Sequence, residues 1–167
     1  MEAQNEHKRL AFLHSLNILD TPIEEPYERI TRLLCRVLDV PIAAVSLIDK
    51  KRQWFKSIQG AEIIEIDRKD SFCSHTILTP HTIIIPDARL DDRFRNLSIV
   101  QNTPNVVFYA GHPIELADSI NIGTLCVFDT EPKEFSNQDV QFLEDISKTA
   151  ASEMKSRLFK NVYDIKV

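Results

Sequence analysis

VPIAAVSLIDKKRQWFKSIQG, residues 40–60, is the stretch on which the fold turns. Ile42 to Ile48 is almost continuously apolar, the pattern of a strand covered on both faces. Asp49 to Arg52 is polar enough to turn the chain, and QWFKSIQG returns as its hairpin partner. Further along, VVFYAGHPIEL (106–116) and NIGTLCVFD (121–129) are two more β-rich runs, separated by Ala117 to Ser119, which reads as a second hairpin. Thr82 to Ile85 adds a short strand and Ser71 to Leu78 a short helix. The sheet is therefore expected to be mainly antiparallel.

Helical signals flank this β-rich middle. Glu2 to Ile18 carries Leu10, Leu13 and Leu16 in a weak stripe that stops at Asp20. Thr21, Pro22 and Glu24 read as a capping box opening a second helix, with Tyr27, Ile30, Leu34, Val37 and Leu38 as its core stripe and Pro41 as its block. Ser136 and Asp139 give the last helix a cap, with Phe135 placed to staple against Val140. Its stripe of Val140, Leu143, Ile146, Ala150, Met154 and Leu158 is longer than one small sheet needs. Two arrangements stay open: the terminal helices pair with a second copy, giving a homodimer, or the long helix lies across its own sheet.

Composition bounds the class of protein. The 167 residues suit one domain, with terminal helices at 2–39, a sheet and pocket at 41–129 and a C-terminal helix at 136–160. A 43% hydrophobic and 27% charged chain builds a packed core. The net charge of -5, with Lys and Arg interleaved among Asp and Glu, argues against a nucleic-acid partner. No apolar run reaches signal-peptide or membrane-span length, so a soluble cytoplasmic protein with no membrane partner is expected. Cys35, Cys73 and Cys126 are an odd, widely spaced set, which fits reduced thiols, and no CxxC zinc pair exists.

Seven motifs in order now carry a resemblance: ILDTP (18–22), VPIAAVSLID (40–49), RQWFKS (52–57), SFCSHTI (71–77), PDARLDDRF (86–94), FYAGHPI (108–114) and IGTLCVFD (122–129). Together they resemble the GAF domain family, in particular the subgroup found N-terminal to diguanylate cyclase, histidine kinase and phosphatase domains. The resemblance implies an α/β (α+β) fold: a central sheet of about six strands, terminal helices on one face, and a ligand pocket roofed by loops and short helices on the other. It also implies a sensory, regulatory module in signal transduction that binds a small molecule, acts on an output signalling protein or domain, and is no enzyme. His112 departs from the family pattern, where a small residue usually follows the YAG.

The candidate ligand-binding residues are Phe72, Cys73, His75, Asp87, Phe94, Phe108 and His112. Aromatic walls with a few polar groups are what small-ligand sites usually show. Strand parity puts only one of Phe108 and Tyr109 in the pocket, and Ala110 and His112 accompany Phe108. Gly111 and Gly123 inside strands read as bulges or, as the second choice, as sites of close backbone approach. Asp87 and Arg93 have an ordinary account too, as a turn cap and a surface ion pair with Asp91 or Asp92. A metal held by Cys73 and His75 is disfavoured, because two-residue spacing splits them between helix faces. No phosphate loop, nucleophile elbow or HExxH is present, and no cofactor is named by any motif. Two alternatives remain. One is a thiol-based redox sensor, or an enzyme like the family's free methionine sulfoxide reductases, in which Cys73 attacks and Cys126 resolves; the other is a ligand-free dimerisation module. Phytochrome-type relatives carry adjacent Cys and His, whereas Ser74 separates them here.

Overall fold

Six strands pair in the order β3-β2-β1-β6-β5-β4 in the computed structural model, which describes residues 3–164. They are β1 (Ile42–Ile48), β2 (Arg52–Gln59), β3 (Glu65–Asp67), β4 (Ile83–Ile85), β5 (Phe108–Ala117) and β6 (Ile120–Asp129), and every pairing is antiparallel. Between them lie α1 (Ala3–Ser15) and α2 (Glu25–Leu38) at the start, the one-turn helices α3 (Cys73–Thr76) and α4 (Ser98–Gln101), and α5 (Asn137–Asp164) at the end.

β1 is buried at all seven positions because it is central and both faces are covered. Ala43, Val45 and Leu47 point to a cluster built with α1, α2 and α5, while Ile42, Ala44 and Ile48 point to a second cluster under the loops. Period-two alternation thus separates a helix face from a loop face.

β2 breaks that alternation. Val45 pairs with Ser57 and Ser46 with Phe55, so Lys56 is the extra residue of a β-bulge. Trp54 joins the helix-face cluster and Phe55 the loop-face cluster. Lys56 and Ser57 then both reach the helix side, to Glu24 and to Thr31 of α2, before Ile58 returns to the loops.

The C-terminal helix starts as its sequence predicts. The Asp139 amide donates to Ser136 Oγ at 3.1 Å and the Ser136 amide to Asp139 Oδ2 at 3.0 Å, a reciprocal capping box. The start of α2 differs from the sequence reading. Its cap is Glu24, which makes no side-chain cap bond, and Pro26 rather than Pro22 sits in the first turn. Thr21 instead donates to the Ile18 carbonyl and accepts from Lys56. A tertiary bond to a buried cation outweighed the local cap. Val37 is another correction: it faces solvent, 51% exposed, beside Leu33. The two strand glycines are close-approach sites rather than bulges. A Cβ on Gly123 would lie 1.9 Å from the Ser46 carbonyl, and one on Gly111 would lie 2.0 Å from the Tyr109 hydroxyl.

Candidate functional site

The loop face is built around four rings. Phe72 stacks on Tyr109 at 4.7 Å between centroids and 9° between planes, Phe94 tilts against Phe72 at 4.9 Å, and Phe128 meets Tyr109 at 5.4 Å. All but Phe128 are 2% exposed or less. Such pairs add about 0.5–1.5 kcal/mol beyond the area they bury. They fill the centre of the face where an open pocket was expected. What remains is an apolar cavity of about 30 Å³, lined by Ile42, Phe55, Ile63, Ile66, Phe72 and Phe128 among others. That is room for about one water-sized molecule. It lies under segments 60–66 and 98–106.

Beneath the rings runs a buried polar column. Thr124 Oγ1 donates to Cys73 Sγ at 3.0 Å, Gln53 Nε2 donates at 3.2 Å, and the Tyr109 hydroxyl is 3.4 Å away. Ser46 Oγ and Thr124 Oγ1 are 2.8 Å apart, and Thr76 Oγ1 is 2.7 Å from the Tyr109 hydroxyl. Ser71 donates to Gln53 Oε1. Each polar group has a partner, as burial requires. Burial opposes ionisation of Cys73, but its hydrogen bonds, those of Thr124 and Tyr109 among them, outweigh it and hold this thiol below its usual range. Burial and the Cys73 charge push Cys126 the other way. Both thiols are 0% exposed.

The seven expected ligand residues do not converge. Phe72, Cys73 and Phe94 come together, with His75 at their edge, its ring 4.9 Å from Phe94 and nearly perpendicular to it. Only Phe72 lines the cavity. Asp87 caps the single turn Ala88–Leu90 by accepting from the Arg89 amide, and its carboxylate pairs with the Arg89 guanidinium. Arg93 pairs with Asp91 and lies over the Phe94 ring, 4.8 Å from its centroid.

Phe108 and His112 are on the wrong side. Parity held, so Tyr109 is opposite Phe108, but Phe108 packs in the helix-face cluster with Phe135 at 5.6 Å. His112 follows it beneath α5. Its Nδ1 is 2.9 Å from Thr82 Oγ1, which donates to Glu144 at 3.5 Å, and it lines a polar cleft with Lys148 and Lys155. Burial lowers the His112 pKa, against the nearby Glu144 carboxylate. Alternation gives two sides without saying which is which; only the partner strands and helices decide. Gln53, Thr124 and Lys56 lie outside the sequence reading, and the readable signal for Lys56 is a charge inside an apolar strand next to Trp54 and Phe55. Among the described residues no group of three His, Cys, Asp or Glu is placed to hold a metal, and no helix is long and apolar enough to cross a membrane.

An antiparallel six-stranded sheet with long helices on one face and short lid segments on the other defines a GAF-like α/β fold. The chain belongs to the GAF domain family, whose profile matches residues 22–154. A cyclic di-GMP phosphodiesterase of Pseudomonas aeruginosa is 35% identical over 162 residues, which are 96% of this chain and 28% of that protein. The chain thus spans under a third of that relative. The GAF domain of a phosphoenolpyruvate-protein phosphotransferase from Coxiella burnetii superposes with a TM-score of 0.70 at 16% identity, over 97% of this chain and 99% of that one. A domain of a two-component sensor histidine kinase from Sinorhizobium meliloti gives 0.68 at 16% identity, over 89% and 100%. A free methionine-R-sulfoxide reductase from Neisseria meningitidis gives 0.65 at 12% identity, over 96% and 95%. Family membership is consistent with a sensory or regulatory role.

Proposed function

We propose that this GAF domain is the small-molecule-sensing input module of a cytoplasmic signalling protein, passing the binding event through α5 to an output domain or partner. The observation that carries this reading is the apolar cavity between β2 and the lid segments. Ordinary ligand sites enclose about 300–1,000 Å³. Binding therefore requires the lid to move. The lid is well suited to that: β3 has three residues, α4 has four, and its Ile63, Ile66 and Ile99 are only partly buried against the loop-face cluster. Short segments with few buried contacts open at low free-energy cost. The resemblance to a cyclic di-GMP phosphodiesterase supports an appended catalytic domain as the output. Leu33 and Val37, exposed on α2 beside α5, support a homodimer through the terminal helices.

The domain carries out no chemistry of its own in this reading. Cys73 and Cys126 are sealed from solvent, and neither His75 nor Asp87 bonds to either thiol. A redox reading has one observation in its favour, the three hydrogen-bonding groups around Cys73 Sγ.

Native mass spectrometry of the protein purified from cells under reducing conditions, set beside its denatured mass, tests both. An extra mass lost on denaturation is the expected result. A bare mass, with no thermal shift across a metabolite library, would overturn the sensor reading. An adduct on Cys73 that survives denaturation would replace it with the thiol reading.

A further inference from the structure

Lys56 is a buried cation: its side chain is 0% exposed. Its three ammonium protons have three acceptors, Thr21 Oγ1 at 2.8 Å, the Pro22 carbonyl at 2.6 Å and Glu24 Oε2 at 2.6 Å. The Tyr27 ring of α2 lies beneath it, 5.6 Å away. The same carboxylate oxygen of Glu24 accepts from Arg157 Nη1 at 2.9 Å. Arg157 also donates from Nε to the Leu16 carbonyl and from Nη2 to the Asn17 carbonyl, each at 3.0 Å. One carboxylate thus joins β2 to the C-terminal half of α5, across the 16–24 segment.

The other end of this chain of bonds is the cavity. Phe55, next to Lys56, lines it, as do Gln53 and Ile58 of the same strand. The bulge sits between them, placing two successive residues on the helix face. A buried charge separated from its counter-charge is strongly disfavoured. Movement of β2 at Lys56 consequently draws Glu24 with it, and Glu24 draws Arg157. The N-terminal half of α5 has separate anchors, Ser147 Oγ to the Pro113 carbonyl at 2.9 Å and Glu144 to Thr82, both reaching β5 or the loop before β4.

We propose that the Lys56 bulge, Glu24 and Arg157 form the coupling element that carries displacement of the cavity wall to the C-terminal half of α5. This inference rests on the sensory reading and assigns its route of regulation. Lys56, Glu24 and Arg157 are positioning residues that touch no ligand.

The test needs no natural ligand. Ala61→Phe adds bulk to a residue lining the cavity and pushes its wall outward, and hydrogen exchange reads residues 153–160 against 140–150 in the same helix. The variant should raise exchange at 153–160 relative to 140–150 by about fivefold, and in a Lys56→Met background by less than about twofold, fivefold being the lower end of ordinary allosteric couplings. Equal effects in both backgrounds, or none in the otherwise native protein, would overturn the proposal. Should Ala61→Phe fail to fold, xenon under pressure, which occupies small apolar cavities, serves as the filling probe. Amide NMR shifts should then reach Glu24 and Arg157 in the native protein and stop at β2 in Lys56→Met; shifts of the same reach in both would refute the coupling. Failure here with a ligand found by native mass spectrometry leaves the sensor intact and its route elsewhere. Coupling without a ligand leaves the route standing and removes the sensor reading.

Discussion

The two faces of this sheet are made from alternate residues of the same strands, yet they are stabilised differently. On the helix face, Leu13, Leu16, Leu34, Leu143 and Met154 close over Trp54 and Phe108, all of them nearly or fully buried, and the charges that enter are paired. On the loop face, four aromatic rings cap a column of Ser46, Gln53, Cys73, Thr76 and Thr124. Helices of 13, 14 and 28 residues cover the first, whereas the second is covered by elements of three or four. A long helix satisfies its own backbone and buries a continuous stripe, so it resists local opening more than short lid segments do. The proposed sensory role accordingly places recognition on the loop face and output on the helix face.

The largest way to break this contrast is Phe94→Ala. Phe94 is 0% exposed and sits between Phe72 and His75. Its truncation should cost about 4 kcal/mol in urea unfolding. Local hydrogen exchange should rise first at 60–66 and 98–106. Equal rises throughout α5 at low denaturant would mean that the two faces open as one unit and the contrast fails.

Glu24→Gln comes next, on the other face. It removes the counter-charge of Lys56 and leaves only neutral acceptors, Thr21, Pro22 and the new amide oxygen, at a cost of about 3 kcal/mol, near the low end for a broken buried pair because water reaches Glu24. The neighbouring Arg32→Gln, which removes an exposed pair with Glu25, should change stability far less, because water screens that pair. Thermal melts of both variants check the ratio. If the two cost the same, the Lys56 cluster is no different from a surface pair.

How far the sequence reveals these faces follows from what each signal encodes. Apolar runs and caps are local, so β1, the β5–β6 hairpin and the Ser136 start of α5 are legible as written. β3 is three residues long and gives no periodic signal. Thr21 has every local feature of a cap, and what redirects it is Lys56, 35 residues away. The candidate site fails for the same reason. The pair Phe108 and Tyr109 has parity in the sequence but no sign, because the sign is set by where α5 docks. Phe72, Cys73 and Phe94 were legible as a group, but the filling of their shared space by Tyr109 depends on Gly111 leaving room for its hydroxyl.

Thr124→Val probes the polar column at smaller cost. It removes the donor to Cys73 and the partner of Ser46, leaving a buried hydroxyl less satisfied, and should cost about 1–2 kcal/mol. It should also raise the Cys73 pKa, since one of the bonds holding it down is gone. The Cys73 Cβ chemical shift against pH, read by NMR on the folded protein, follows that shift. An unchanged profile would show that Thr124 is a packing residue and not a support of the thiolate.

The smallest effect lies where the two faces meet. Glu6 of α1 accepts from Arg9 at 2.9 Å and from Arg68, at the start of the lid, at 2.6 Å, while Arg9 also reaches the Ile48 carbonyl at 2.7 Å. Burial resists the Glu6 charge, but the hydrogen bonds and charges of Arg9 and Arg68 prevail and pull its pKa from 4.5 down to about 2. The folded pKa lies below the unfolded one, so as pH falls the unfolded chain takes up the proton first. The stabilisation is present in full above about pH 4.5, declines as the pH falls through that window, and is gone near pH 2. Glu6→Gln should therefore be less stable than the native protein by about 1 kcal/mol at neutral pH, a figure kept small because water screens the pair, and the two curves should converge toward pH 2. Asp20, Glu24 and Asp49 are also held below their usual range, so both proteins lose stability in acid and only the difference between them reports Glu6. A gap that persists at pH 2 would mean that Glu6 ties the lid to α1 through packing, and that the boundary between the two faces carries no charge-based latch.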